Sequence, residues 1–221
     1  MILKGLPDST TPLAELPLAV LDVETTGLRP GDQGRVCEIA VLRVEPGADP
    51  GHAPAPWSTL VAPGCRLSPG AARVNGLRDA DLADAPPFAA IAPLLQRQLE
   101  GAVIVAHNAP FDLGFLHFEL RRAGVEPAPI PALDTLLLAR RWYRFRSNAL
   151  GAVARELGVP TGDLHRAAAD VAVTWGIFAR MRQRLEPLGM RTLAAWLAAQ
   201  GSRPTLAAPG ERQRGGGTSR R

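Results

Sequence analysis

The chain has 221 residues, 46% hydrophobic and 21% charged, a balance that excludes intrinsic disorder and fits one generous α/β domain or one domain with an extension. Its two cysteines, Cys37 and Cys65, exclude a disulfide framework and lack metal-ligand spacing, and no apolar run reaches the ~18 residues of a membrane span. The net charge of +4 belongs to the tail, where residues 203–221 hold five arginines against Glu211; the first 202 residues are neutral overall, so bulk charge does not advertise a nucleic-acid groove. The first eight residues show no signal-peptide pattern, and the sequence reads as that of a soluble, cytoplasmic protein without membrane contact.

In chain order, residues 16–24 carry a Pro-flanked apolar run, Leu18-Ala19-Val20-Leu21, that reads as a buried central strand ending in a loop. Residues 35–45 and 57–62 read as two further strands, separated by a Pro- and Gly-rich surface turn, and together the three suggest an antiparallel meander. Short helical pieces follow around 68–74 and 79–83, with Asn75-Gly76 as a helix stop. After Pro87 the rhythm changes to helix 88–99, strand 102–106, helix 111–123, and helices at 134–141, 148–157, 166–185 and 188–200. Strands first and helix–strand–helix later predict an α/β domain with a mixed sheet. The expected division is a segment 1–15, a domain 16–185, a helix over 186–201 packed on that domain, and a disordered basic tail over 202–221.

Three short groups carry chemistry. Asp22 and Glu24 flank Val23 on the first predicted strand, so the alternation of strand side chains puts both carboxylates on one face, at the strand's C-terminal end. A divalent cation would relieve their repulsion; two solvated acids are the alternative. In His107-Asn108-Ala109-Pro110-Phe111-Asp112, a buried strand delivers Asp112 into the first turn of a helix, where it is either a ligand or a dipole-favoured acid beside a capping Asn108. In His165-Arg166-Ala167-Ala168-Ala169-Asp170, five positions turn a helix through ~500°, so His165 precedes the helix and Asp170 lies inside it. Four carboxylates and an imidazole at element ends suit hard cations such as Mg²⁺ or Mn²⁺. A pair of such ions ~3.5–4 Å apart is a recurring device for phosphodiester cleavage. An imidazole can take a water's proton near neutral pH.

The ordered segments Asp22-Val-Glu-Thr-Thr-Gly, His107-Asn-Ala-Pro-Phe-Asp and His165-Arg-Ala-Ala-Ala-Asp resemble the three motifs of the DEDDh exonucleases, the superfamily of the proofreading epsilon subunit of bacterial DNA polymerase III. Val74-Asn75-Gly76-Leu77, Leu133-Asp134-Thr135-Leu136 and Leu150-Gly151-Ala152-Val153 extend the resemblance, which covers residues 16–183. It implies a ribonuclease-H-like fold with a five-stranded mixed sheet. It implies 3′→5′ hydrolysis of single-stranded DNA, in proofreading or repair, to nucleoside 5′-monophosphates with two Mg²⁺ or Mn²⁺. By motif match, Asp22, Glu24, Asp112 and Asp170 would hold the metals, Asp22 bridging. His165 would be the general base, and Arg166 stands where a sister branch has Tyr. Thr25 and Thr26 would seat the terminal nucleotide, with His107 and Asn108 as further substrate contacts. Nucleic-acid 3′ ends are the implied partner, DNA ahead of RNA, together with a DNA polymerase catalytic subunit. An exoribonuclease is the alternative, and a catalytically silent nucleic-acid-binding module is last, since all five motif residues are present. Arg140, Arg141, Arg144 and Arg146, interleaved with Trp142, Tyr143 and Phe145, offer phosphate contacts and base stacking, or a solvated helix end.

Overall fold

The computed structural model describes residues 7–48, 55–162, 164–201 and 205–206. Strands β1 (Leu18–Thr25), β2 (Val36–Val44) and β3 (Trp57–Leu60) form the antiparallel meander. Helix α1 (Pro69–Asn75) follows, capped by the Ser68 hydroxyl and stopped by Gly76 in the left-handed region at φ 69°. Then come a 3₁₀ turn at Asp79–Leu82, α2 (Phe88–Leu99), β4 (Val103–Ala106), α3 (Ala109–Arg122), β5 (Ile130–Asp134), α4 (Thr135–Trp142), α5 (Leu150–Glu156), α6 (Ala167–Leu185), α7 (Leu193–Ala199) and β6 (Thr205–Leu206). The strand order is β3-β2-β1-β4-β5-β6, with β1, β4 and β5 parallel and the other neighbours antiparallel.

Side-chain alternation along β1 divides the core. Leu18 and Val20 join Val105, Leu133 and Phe178 on the face covered by α5, α6 and α7. Ala19, Leu21 and Val23 join Ile104, Phe115 and Leu116 on the face covered by α2 and α3. No helix among the described residues is long and apolar enough to cross a membrane.

Among the described residues the sheet has six strands, not five. β5 escapes a propensity reading because Pro129 and Pro131 frame its start; Pro131 is tolerated there because the partner on that side is only the two-residue β6. β6 lies inside the segment expected to be a disordered tail, and its Leu206 is 1% exposed; the rest of 202–221, apart from β6, lies outside the described residues. The predicted 188–200 helix is also corrected: Gly189 at φ 97° interrupts it, leaving a 3₁₀ turn at Glu186–Leu188 and a shorter α7. This helix packs on its own domain, with Trp196 fully buried and its ring 5.3 Å from that of Phe178. Gln200 then completes the edge of β5 like a strand backbone: its Oε1 accepts from Asp134 N at 2.8 Å and its Nε2 donates to Ala132 O at 3.0 Å.

Candidate active site

The site grows from an overhang. β1 pairs with β2 along its length but with β4 only over Leu18–Val20. Among the described residues, no strand lies beside one edge of β1 beyond Val20, and the amide of Val23 finds a side chain instead. It donates to Asp112 Oδ1 at 3.1 Å, from the first turn of α3. Asp112 is 3% exposed. Asp22 and Glu24 have the parity of Leu18 and Val20, so they face α6, which contributes Asp170. One carboxylate oxygen from each of Asp22, Glu24 and Asp170 lies within 4.8 Å of the others. Three of the four predicted acids therefore share one focus. Asp112 reaches the open edge of β1, where the Val23 amide between Asp22 and Glu24 engages one of its oxygens, and it repels the nearby Asp22 carboxylate.

These acids are costly to ionise together. Burial, then Asp170 and Glu38, pushes the Asp22 carboxyl up to about 8. Burial, then Asp22, Asp170 and Glu38, does the same to Glu24, also to about 8, against a smaller opposing pull from Arg166. Burial and Asp22 hold Asp112 well above the ordinary carboxylate range. Asp170 is raised by burial, opposed first by the amide of His165 and then by its ring. A focus of oxygen donors that resists ionisation fits a hard divalent cation, which would supply the missing positive charge. Neighbouring Cys37 is buried, and burial lifts its thiol to about 12, so it is a packing residue.

His165 is exposed and stands just before α6 with φ 74°, a left-handed conformation that costs a non-glycine residue roughly 1–2 kcal/mol. Its amide donates to Asp170 Oδ1 at 3.3 Å. Next to it, the Arg166 guanidinium donates to both oxygens of Glu38, Nη2 to Oε1 at 2.9 Å and Nε to Oε2 at 3.0 Å, and Ala167 N donates to Oε2 at 3.4 Å. Glu38 is 3% exposed, on β2. It is not among the motif acids, yet an acid amid Val36-Cys37 and Ile39-Ala40-Val41-Leu42 is a signal: such a strand buries both faces, and an isolated charge there needs a partner.

The substrate-contact candidates divide. Thr26 is fully buried; its hydroxyl donates to Gln33 O at 3.1 Å and accepts from Arg35 N at 2.9 Å, so it builds the loop after β1 and faces the protein rather than solvent. Thr25 borders the cleft, with its hydroxyl donating to Gly27 O at 2.7 Å. His107 is committed to the scaffold: Nε2 donates to Asn148 O at 2.9 Å, Nδ1 lies 2.9 Å from the Thr135 hydroxyl, and burial lowers its pKa, keeping the ring neutral. Asn108, left-handed at φ 74°, does not cap α3 with its side chain, which is exposed; its amide donates to Asp134 Oδ1 at 3.0 Å. Asp134 caps α4, accepting from Leu136 N at 2.9 Å.

A cleft of about 850 Å³ opens beside Glu24, lined by Thr25, Leu28, Val74, Asn75 and Phe111 among others. Leu28 and Val74 are 87% and 56% exposed, two apolar side chains held out at its mouth. Neither stood out in the sequence as a site residue. Leu28, a lone apolar residue in a Gly- and Pro-containing loop, was the available signal.

The aromatics of the arginine-rich segment are engaged by the fold, although Trp142 keeps an exposed face. Tyr143 stacks on Phe145 at 4.8 Å and carries Arg184 over its ring at 4.7 Å, while Trp142 Nε1 donates to Ala199 O at 2.9 Å. These aromatics hold the segment to the fold. Arg140, Arg141, Arg144 and Arg146 remain exposed. The chain that follows it borders the site: Asn148 O meets His107, and Gly151 packs so closely on Leu164, just before His165, that a Cβ there would lie 2.8 Å from Leu164 Cδ1.

A family model described as RNase_T, exonuclease, matches residues 19–178. The DNA polymerase III subunit epsilon-like protein of Rhodobacter capsulatus is 35% identical over 190 residues, covering 85% of this chain and 27% of that protein. The 3'-5' exonuclease DinG of Bacillus subtilis is 32% identical over 175 residues, covering 79% of this chain and 18% of that protein. The chain thus spans about a quarter or less of the length of these relatives. Among solved structures, Exonuclease X in complex with 5' overhanging duplex DNA is 27% identical with a TM-score of 0.62, over 83% of this chain and 99% of that one. With its mixed sheet flanked by helices and its acids gathered at the end of the central strand, the chain belongs to the RNase_T exonuclease family of nucleic-acid-cleaving enzymes.

Proposed function

We propose that this chain is a metal-dependent exonuclease that removes nucleotides one at a time from the 3′ end of DNA, leaving nucleoside 5′-monophosphates. The observation that carries the reading is the convergence of Asp22, Glu24 and Asp170 within 4.8 Å, with Asp112 held beside them by the Val23 amide at 3.1 Å. The relative named a 3'-5' exonuclease supports the polarity, and the duplex DNA bound to Exonuclease X supports the substrate. The four acids would hold two divalent cations, Mg²⁺ or Mn²⁺, which neutralise phosphate charge and activate water when bound.

The protein's own groups do the rest. The His165 ring, exposed next to Asp170, accepts the attacking water's proton. Leu28, Val74 and Phe111 pack the terminal base in the cleft beside Glu24. The exposed arginines of residues 140–146 meet phosphates of the strand beyond it. A polymerase catalytic subunit is a candidate partner, supported by the names of the epsilon-like and PolC-type relatives.

The test is a product ladder. With Mg²⁺, 5′-labelled single-stranded DNA shortens stepwise, matched RNA shortens more slowly, and EDTA stops both. Preferential shortening of RNA would move the substrate to RNA with the same residues in place. No ladder on either strand with Mg²⁺ or Mn²⁺ would refute the enzymatic reading.

A further inference from the structure

We propose that Glu38 and Arg166 are positioning residues that hold His165 in its working conformation, a role that rests on the reading of His165 as proton acceptor. His165 lies at φ 74°, which a non-glycine residue keeps only where its surroundings impose it. Its surroundings are asymmetric. On one side its amide donates to Asp170, itself part of the acid focus. On the other, the next two residues are both tied to Glu38, Arg166 through two guanidinium bonds and Ala167 through its amide at 3.4 Å. Glu38 is almost fully buried on β2, the strand paired with β1, where its Cα partners that of Glu24. The clamp therefore references the turn before α6 to β2, the strand paired along β1, which carries Asp22 and Glu24. Once it is released, residue 165 can relax to negative φ, which redirects its Cβ and carries the imidazole away from Asp170.

Arg166 keeps half of its side chain in water, so neutralising Glu38 leaves no buried unpaired cation. Glu38→Gln preserves shape and should fold. At Mg²⁺ concentrations saturating for each protein, kcat on a single-stranded oligonucleotide should fall on the order of 10–100-fold, the scale of a misplaced catalytic group, with KM changed by less than about twofold. In a His165→Ala background the same change should have no further effect on kcat. In metal-free protein, amide exchange across residues 164–170 should speed up while β1 and β2 stay protected.

The outcomes separate the two readings. If His165→Ala retains the wild-type rate, the proton-acceptor reading fails and the clamp falls with it. If His165→Ala is slow but Glu38→Gln is unimpaired, or slows the His165→Ala enzyme further, the clamp alone is refuted. Should Glu38→Gln not fold, the neutral pair Glu38→Gln/Arg166→Met carries the same kinetic expectation, because removing both charges leaves neither group unpaired.

Discussion

Without cations the acid focus should destabilise the fold, and Asp22→Asn should stabilise it. Asn keeps the shape and removes the charge. The Asp22 carboxyl rises from 3.8 to about 8, so the folded protein binds its proton more tightly than the unfolded chain does. Stability is therefore lost as pH climbs from about 4 towards 8, and an uncharged side chain escapes that loss. At 1.36 kcal/mol per unit, the loss is about 3 kcal/mol at pH 6 and about 5 kcal/mol at pH 8. Asp22 is only partly buried, and solvent screening of roughly half leaves about 2–3 kcal/mol at pH 8. At 2–4 °C per kcal/mol for a domain of this size, the variant in EDTA should melt about 5–10 °C above wild type at pH 8, with no difference near pH 4. Adding Mg²⁺ or Mn²⁺ should stabilise wild type more than the variant and narrow the gap. Thermal melts at three pH values, with EDTA and with metal, read all of this. Equal melting temperatures at pH 8 in EDTA would refute the electrostatic account, as would a gap that shrinks on going from pH 4 to pH 8.

Glu119→Ala should be the opposite case, since Glu119 receives Arg35 Nε at 2.7 Å and Nη2 at 2.8 Å in a buried pair joining β2 to α3. Stranding Arg35 should cost about 3–5 kcal/mol, visible as a lowered denaturation midpoint at every ionic strength. Replacing both Arg144 and Arg146 with Ala should flatten the dependence of DNA affinity on salt by about 0.7 per lost phosphate contact, measured by fluorescence anisotropy in EDTA; an unchanged slope removes the segment from the interface. Leu28→Ser should raise KM for an oligonucleotide about tenfold and leave kcat within about twofold, the scale of one lost base contact.

The central strands and most helices were legible because each carries its own punctuation. Gly76 and Gly158 stop their helices in the left-handed region, and Phe88–Leu99 repeats apolar residues at helical spacing. β5 and β6 were hidden for a different reason. Their pairing is decided by Gln200 and by the docking of α7, contacts across some 70 residues that no local pattern encodes. The acids were readable as three motifs, and Asp22 and Glu24 as a same-face pair. Their convergence with Asp170 was not, since it depends on α6 crossing the face that holds Leu18 and Val20. Glu38 illustrates the limit: its spacing says only that it is buried, and its partner lies 128 positions away.

That separation bears on how such a site is kept in shape. A focus of acids that repel one another, beside a residue at positive φ, cannot be its own scaffold. Its geometry has to be imposed by contacts that are favourable without metal or substrate. Here they are the Glu38–Arg166 pair at the His165 turn, the Arg35–Glu119 pair at the start of β2, and the Val23 amide bonded to Asp112. Each joins an element of the site to β1 or β2, which share the longest ladder of the sheet. The unfavourable part of the site is thus distributed onto the part of the fold best able to resist it. Loss of Asp22 or Glu24 should therefore abolish activity while sparing or improving stability, and loss of Glu119 should do the reverse: a less stable protein whose remaining folded fraction still binds cations with the wild-type affinity.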